Sequence, residues 1–461
     1  MPNFQEITRL YRNAVGRVGA ALPATALRCR TRFDSAFTSV SRRYLAVHLL
    51  GLMTLLAPWQ PILAAGDAAP PVLLSMDQLV SLVLTHNPAL EVGRRSVDLA
   101  TAGVTTASAL PNPRMELDAG RNSSGVSPAT AGTLTGVGLS QFIENPALRS
   151  ARINSALYGE QTSQQVLRQT RNELVAQVKL RAYEYLLRKE EAKAAADALA
   201  LLEQIRERVK LRVQTGEAGK YELIKSDAEI VNARQREQTA KLQIAQAAIS
   251  INRLAAGRLP AAWQLDAQLG EITDIPKLDQ LRQTALRENP ELRVLESELE
   301  RNQSRISEAN ASRWQGVEFR VTQFREPDVR QNVVGLSVQL PILDQKRGPR
   351  AEAIAERERT QARLEGRRAE LLQQLELAWN SVEIARVRIT ALSEGAMRDA
   401  EAALRVAEAA YKFGERGILE VLDAQRVLRA VRQDLLLARY QLQASLIELD
   451  ALSGRFAGAR E

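Results

Sequence analysis

The chain has 461 residues, 62 Lys plus Arg against 54 Asp plus Glu for a net charge of +8, one cysteine and two histidines. A basic excess invites a nucleic-acid or anionic-surface reading, but residues 1–65 hold eight arginines (Arg9, Arg12, Arg17, Arg28, Arg30, Arg32, Arg42, Arg43) against Glu6 and Asp34, so six of the eight charges lie there and no nucleic-acid partner is expected. Cys29 precedes the apolar run described next, and the histidines are His48 and His86 alone; no disulfide framework, metal site, cofactor or Ser-His-Asp triad is expected, and no enzyme.

Arg42-Arg43, the apolar run Tyr44 to Leu56 and the small residues after Leu63 follow the order of a secretory signal. Residues 1–65 are therefore expected to be a signal peptide with an N-terminal extension. Beyond Ala65 nothing approaches the ~18 consecutive apolar residues of a membrane-spanning helix, so the exported chain is periplasmic, secreted, or placed in an outer membrane as a barrel.

The rest is one unit written twice, over 66–270 and 271–461. Leu79 to Leu84 followed by Asn87-Pro88 opens the first copy, and Leu281 to Leu286 followed by Asn289-Pro290 opens the second. Proline lacks an amide donor and disfavours helix in the residue before it, so each Asn-Pro ends a short helix and begins a longer one. The period then changes to two: Met115, Leu117 and Ala119 alternate with Glu116, Asp118 and Gly120, and Val137, Leu139 and Ile143 share a side. In the second copy Val317, Phe319 and Val321, then Val334, Leu336, Val338 and Leu340, alternate with polar residues. These segments predict half-buried strands, one hairpin per copy, with turns at 122–132 and 326–331. Val-Gly-Leu-Ser recurs verbatim at 137–140 and 334–337.

A long rod follows in each copy, from about Ala147 to Val213 and from about Pro349 to Lys412, with no proline interrupting either run. Leu371, Leu375, Ala378, Val382, Ala385, Ile389 and Leu392 step by four and three, and Val178, Ala182, Tyr185, Ala192, Ala196 and Leu199 keep the same frame with Lys189 as the exception; this predicts coiled-coil packing. Each rod ends at a Gly-Glu-x-Gly turn, Gly216 to Gly219 and Gly414 to Gly417, 198 residues apart, with glycines suited to a tight reversal. Return helices are expected from Tyr221 to Leu254 and Ile418 to Leu452, the first packing on its rod through Ile224, Ala228, Val231, Leu242, Ala245 and Ile249. The connector 257–276 joins the copies. Two hairpins leave four strands with open edges, too few for a barrel, whereas three chains would supply twelve.

Helix, hairpin, long helix, glycine tip and return helix, written twice behind a signal, resemble the TolC family of outer membrane efflux proteins over essentially the whole chain after residue 65. Leu110-Pro111-Asn112-Pro113-Arg114-Met115, Gln141-Phe142-Ile143 with Arg149 to Arg152, and Leu340-Pro341-Ile342-Leu343-Asp344 with Gly348 resemble its heavy-metal, CzcC-like branch; Glu144-Asn145-Pro146 departs from the Gly-Gly-Lys-Arg-like run usual there. The resemblance implies an α+β membrane protein, a homotrimer with a twelve-stranded barrel among outer-membrane lipid and a periplasmic coiled-coil tube. It implies a passive exit duct that works with a periplasmic adaptor and an inner-membrane RND-type transporter. Metal cations, drugs (a multidrug duct) and polypeptides (type I secretion) are all cargo of this fold. It also implies an entrance gate of Arg416, Glu420, Asp423, Tyr411 and Glu222, with Arg416 latching the entrance, Glu420 and Asp423 forming carboxylate rings, and Tyr411 hydrogen-bonded to Glu222. Gly216, Gly219, Gly414 and Gly417 would contact the adaptor. A non-channel periplasmic coiled-coil scaffold would account for the rods but would leave two exported hairpins without partners.

Overall fold

A computed structural model describes residues 72–123, 131–270 and 275–458, and the signal expected at 1–65 lies outside them. The elements run β1 (Val72–Ser75), α1 (Met76–His86), α2 (Pro88–Ser108), β2 (Arg114–Asn122), β3 (Gly132–Glu144), α3 (Pro146–Gln214), α4 (Lys220–Leu254) and β4 (Trp263–Asp266), then α5 (Leu278–Glu288), α6 (Pro290–Ala311), β5 (Gly316–Arg325), β6 (Arg330–Val338), α7 (Arg347–Thr390), a π turn (Ala391–Ala396), α8 (Met397–Lys412) and α9 (Ile418–Leu452). The doubled order is thus present. The sequence pattern had no trace of β1 and β4, which pair in parallel and join the start of the first copy to the connector.

The Asn-Pro pairs act as knots rather than simple stops. Asn87 Oδ1 accepts from the Ala89 amide at 2.9 Å while its Nδ2 donates to the Leu254 carbonyl at 2.9 Å. Asn289 repeats this with Glu291 (3.0 Å) and Leu452 (2.9 Å). One amide side chain therefore caps a helix start and satisfies a carbonyl at the end of the return helix, groups that helix geometry leaves orphaned. A third such residue, Asn145, caps α3 through Ala147 (3.0 Å) and donates to Trp314 O (2.8 Å), tying the first rod to the second copy.

The two hairpins merge into one antiparallel sheet in the order β2-β3-β5-β6. Its register puts Met115, Leu139, Val321 and Val334 in one row and Phe319 beside Leu336 in the next, on one face. The expected half-burial is inverted. The apolar side chains are the exposed ones, Leu117 at 71%, whereas Ser140 at 3% and Thr322 at 7% are buried on the polar face. That face is the inside of a curve: a Cβ on Gly136 would lie 2.8 Å from the Phe324 ring, and glycine relieves such crowding where a sheet bends.

At 69 residues, α3 is a rod of about 100 Å. The second rod, expected unbroken to residue 412, is interrupted by the π turn. Its four-three frame, continued past Leu392, would bury 396, 399, 403 and 410; the buried residues are instead Ala400, Leu404 and Tyr411, one position later. A π turn takes up one extra residue. In α3 the frame also fails low on the rod, where Ala196 is exposed and Leu202, Ile205 and Val209 are buried. There the rod meets not only α4 but also α8 and α9, in an apolar cluster shared by both copies that includes Ile230, Leu404, Ile418 and Val421.

The stripe expected to seat α4 on its rod is the wrong one. Ser226, Ile230, Ala233, Ala240, Ala247 and Ile251 are buried, while Ile224, Val231, Leu242 (72% exposed) and Ile249 face outward. Small residues seven apart let helix axes approach closely, so the rod takes the small stripe and leaves the larger aliphatics unpartnered.

Candidate functional site

The rods end in matching reversals built from the chain's own amides. Glu217 N donates to Arg212 O at 2.8 Å, and Glu415 N to Ala410 O at 3.0 Å, the six-to-one bond that closes a helix end when the intervening residue is left-handed. Gly216 (φ 80°) and Gly414 (φ 76°) are those residues. Gly219 and Gly417 are different. They cap α4 and α9 with ordinary extended φ, −77° and −81°, and a Cβ on either would meet nothing within 4 Å. Of these four tip glycines, the turns require only Gly216 and Gly414.

Around these turns the structure gathers part of the expected gate. Tyr411 is buried, 5% exposed. Its hydroxyl and Glu222 Oε2 are both buried. Burial, then the nearby Glu222 charge, pushes the phenol pKa up from its usual value, because both disfavour the phenolate. Arg416 Nη1, in the turn before α9, pairs with Glu420 of its first turn at 2.9 Å. Asp423 lies one turn further on, exposed like Glu420. Exposed pairs of this kind contribute about 0.2–1 kcal/mol, little enough to be broken and remade.

Arg212 escaped the sequence reading. From the last turn of α3 its guanidinium lies 4.8 Å from the centre of the Tyr411 ring. It donates to the Tyr411 carbonyl at 3.0 Å and stands 3.6 Å from Glu217. One side chain thereby pins the first tip to the second through a stacked cation, worth about 0.5–2 kcal/mol. Only a basic residue in a last helical turn hinted at it, and its repeat position is Ala410. Higher up, Arg426 of α9 pairs with Glu229 of α4, a second tie between the copies. Phe413, Leu419 and Tyr221 stand exposed beside the turns. Among the described residues no helix is apolar enough to cross a membrane and no cluster of His, Cys, Asp and Glu could hold a metal.

A sheet with its apolar face outward and long helical hairpins hung from one end define an outer-membrane channel with a periplasmic helical tube. The family model for "Outer membrane efflux protein" matches this chain twice, over residues 79–257 and 281–455. The chain belongs to the outer membrane efflux protein family. It is 26% identical over 413 residues, 87% of this chain and 94% of the relative, to the cobalt-zinc-cadmium resistance protein CzcC of Cupriavidus metallidurans. Its fold matches a crystal structure of CusC (TM-score 0.69, 20% identity, 82% of this chain and 91% of that one). It also matches the CmeC outer membrane channel of Campylobacter jejuni (TM-score 0.72, 15% identity, 84% and 87%). The protein is the outer-membrane exit duct of a tripartite efflux system, a transport channel rather than an enzyme.

Proposed function

We propose that three copies close their sheets into a twelve-stranded barrel and their helices into a tube, and that the duct carries heavy-metal cations delivered by an RND-type pump through a periplasmic adaptor. The observation that carries the assembly is the sheet: its apolar face is exposed and its outer strands, β2 and β6, are unpaired on one side. In a bilayer every backbone donor and acceptor needs a partner, so such edges must close on other copies. The exposed aliphatics of α4 supply a second unpartnered face for the neighbouring copy. The likeness to a cobalt-zinc-cadmium resistance protein supports the cargo.

At the entrance, Glu420 and Asp423 become rings of three carboxylates, a collar that favours cations. Arg416, Tyr411 and Glu222 hold the tips closed, with Arg212 binding one tip to the other. Gly219 and Gly417, not needed for the turns, leave the backbone open for the adaptor beside Phe413 and Leu419. The repeats divide at 66–270 and 271–461.

Two measurements test this reading. In planar bilayers Arg416→Ser is expected to raise single-channel conductance severalfold, and unchanged conductance removes the gate assignment. Deleting the gene is expected to lower tolerance of zinc, cobalt and cadmium; loss of drug tolerance alone, or of polypeptide export, assigns the duct to the other cargo.

A further inference from the structure

The segment between β6 and α7 holds its apolar side chains away from the rest of the chain. Leu340, Ile342 and Leu343 are exposed, Leu343 at 99%, in a stretch stiffened by Pro341 and turned into α7 through Lys346 in the left-handed region (φ 56°). One exposed leucine is ordinary; three within four residues mark a contact surface. At the other edge of the sheet lies an open groove of about 490 Å³ between Leu110 and the first turns of α3, lined also by Glu144, Pro146, Arg149, Ile153 and Asn154. The Arg149 side chain donates through Nη2 to Ser108 O at 2.6 Å, but its Nε is buried with no hydrogen-bond partner among the described residues.

Topology sets these two features at the same level. β2 begins just after α2, and β6 ends just before α7, so Leu110 and Leu343 both lie where sheet meets tube. β2 and β6 are the two free edges. A β6 strand that pairs antiparallel with β2 of another copy brings residues 340–343 beside the neighbour's Leu110.

We infer that Ile342 and Leu343 of one copy insert into the groove beside Leu110 of a second copy. The contact seals the seam between barrel and tube. It rests on the β6-to-β2 closure proposed above, and the occupant is another copy of this chain rather than lipid, because the socket lies next to the strand edge that closure covers.

The test uses cysteine cross-linking of the full chain in its own membranes, in a Cys29→Ser background because Cys29 is the single cysteine. Leu343→Cys combined with Asn154→Cys, treated with a short bismaleimide, is expected to give covalent dimers and trimers on a denaturing gel, absent from either single variant. Trimers that survive unheated electrophoresis but give no cross-linked product overturn the contact and leave the closure standing. Absence of any oligomer in the same samples overturns both. As a second readout, Leu343→Asp is expected to lower by several degrees the temperature at which trimers dissociate; an unchanged temperature places Leu343 in lipid and overturns the inference.

Discussion

The sheet and the rods obey opposite rules of solvation within one chain. In the second rod the four-three stripe turns inward: Leu371, Leu375 and Val382 are fully buried against α5, α6 and α9. In the sheet the aliphatic row turns outward, and Ser140 and Thr322 take the crowded interior. The hydrophobic effect has the same sign in both; the surroundings differ, protein for the rods and membrane for the sheet. Burial measured on a single copy is therefore a sound guide to stability in the rods and a misleading one in the sheet.

Substitutions at one leucine in each region can separate the two regimes. The largest effect is expected from Leu371→Ala in α7, a fully buried position, at about 2–5 kcal/mol, read as loss of helical signal on thermal melting of purified protein. Next, Leu117→Arg in β2 is expected to cost about 2–4 kcal/mol in the membrane although the side chain is 71% exposed; membrane yield and unheated trimer mobility report it, and normal assembly would mean that the apolar face does not meet lipid. The smallest effect concerns pH. The phenol of Tyr411 has a raised pKa in the folded tip, so its contribution is fully present below the unfolded value of about 10 and is lost as pH rises through the folded value. Conductance is expected to increase reversibly in that alkaline range, and Tyr411→Phe is expected to remove the pH step. A step that persists in Tyr411→Phe would assign it to another group.

Local signals were strong enough to place the elements. The proline at 88 and 290, the period-two runs and the Gly-Glu-x-Gly turns depend on residues close in sequence, and the return helix Ile418–Leu452 lies where its pattern puts it. The gate was legible only in part. Tyr411 and Glu222 do come near one another, and Arg416 was visible as a charge four residues from Glu420. Arg212 was not legible, since its partner lies 199 residues away and its repeat counterpart is an alanine. The α4 stripe was misjudged because hydrophobicity ranks Ile224 and Leu242 above Ser226 and Ala240, whereas close helix packing ranks them the other way.

By itself the sequence determined the duplication, the order of helix and strand, and the glycine reversals, because proline, side-chain period and left-handed backbone act over a few residues. Tertiary structure decided which side of each stripe is inside and how the second rod takes up its additional residue. It also decided which side chains join the two tips and which edges of the sheet stay open. Those outcomes depend on what stands opposite each face, and no residue carries that information without its neighbours in space.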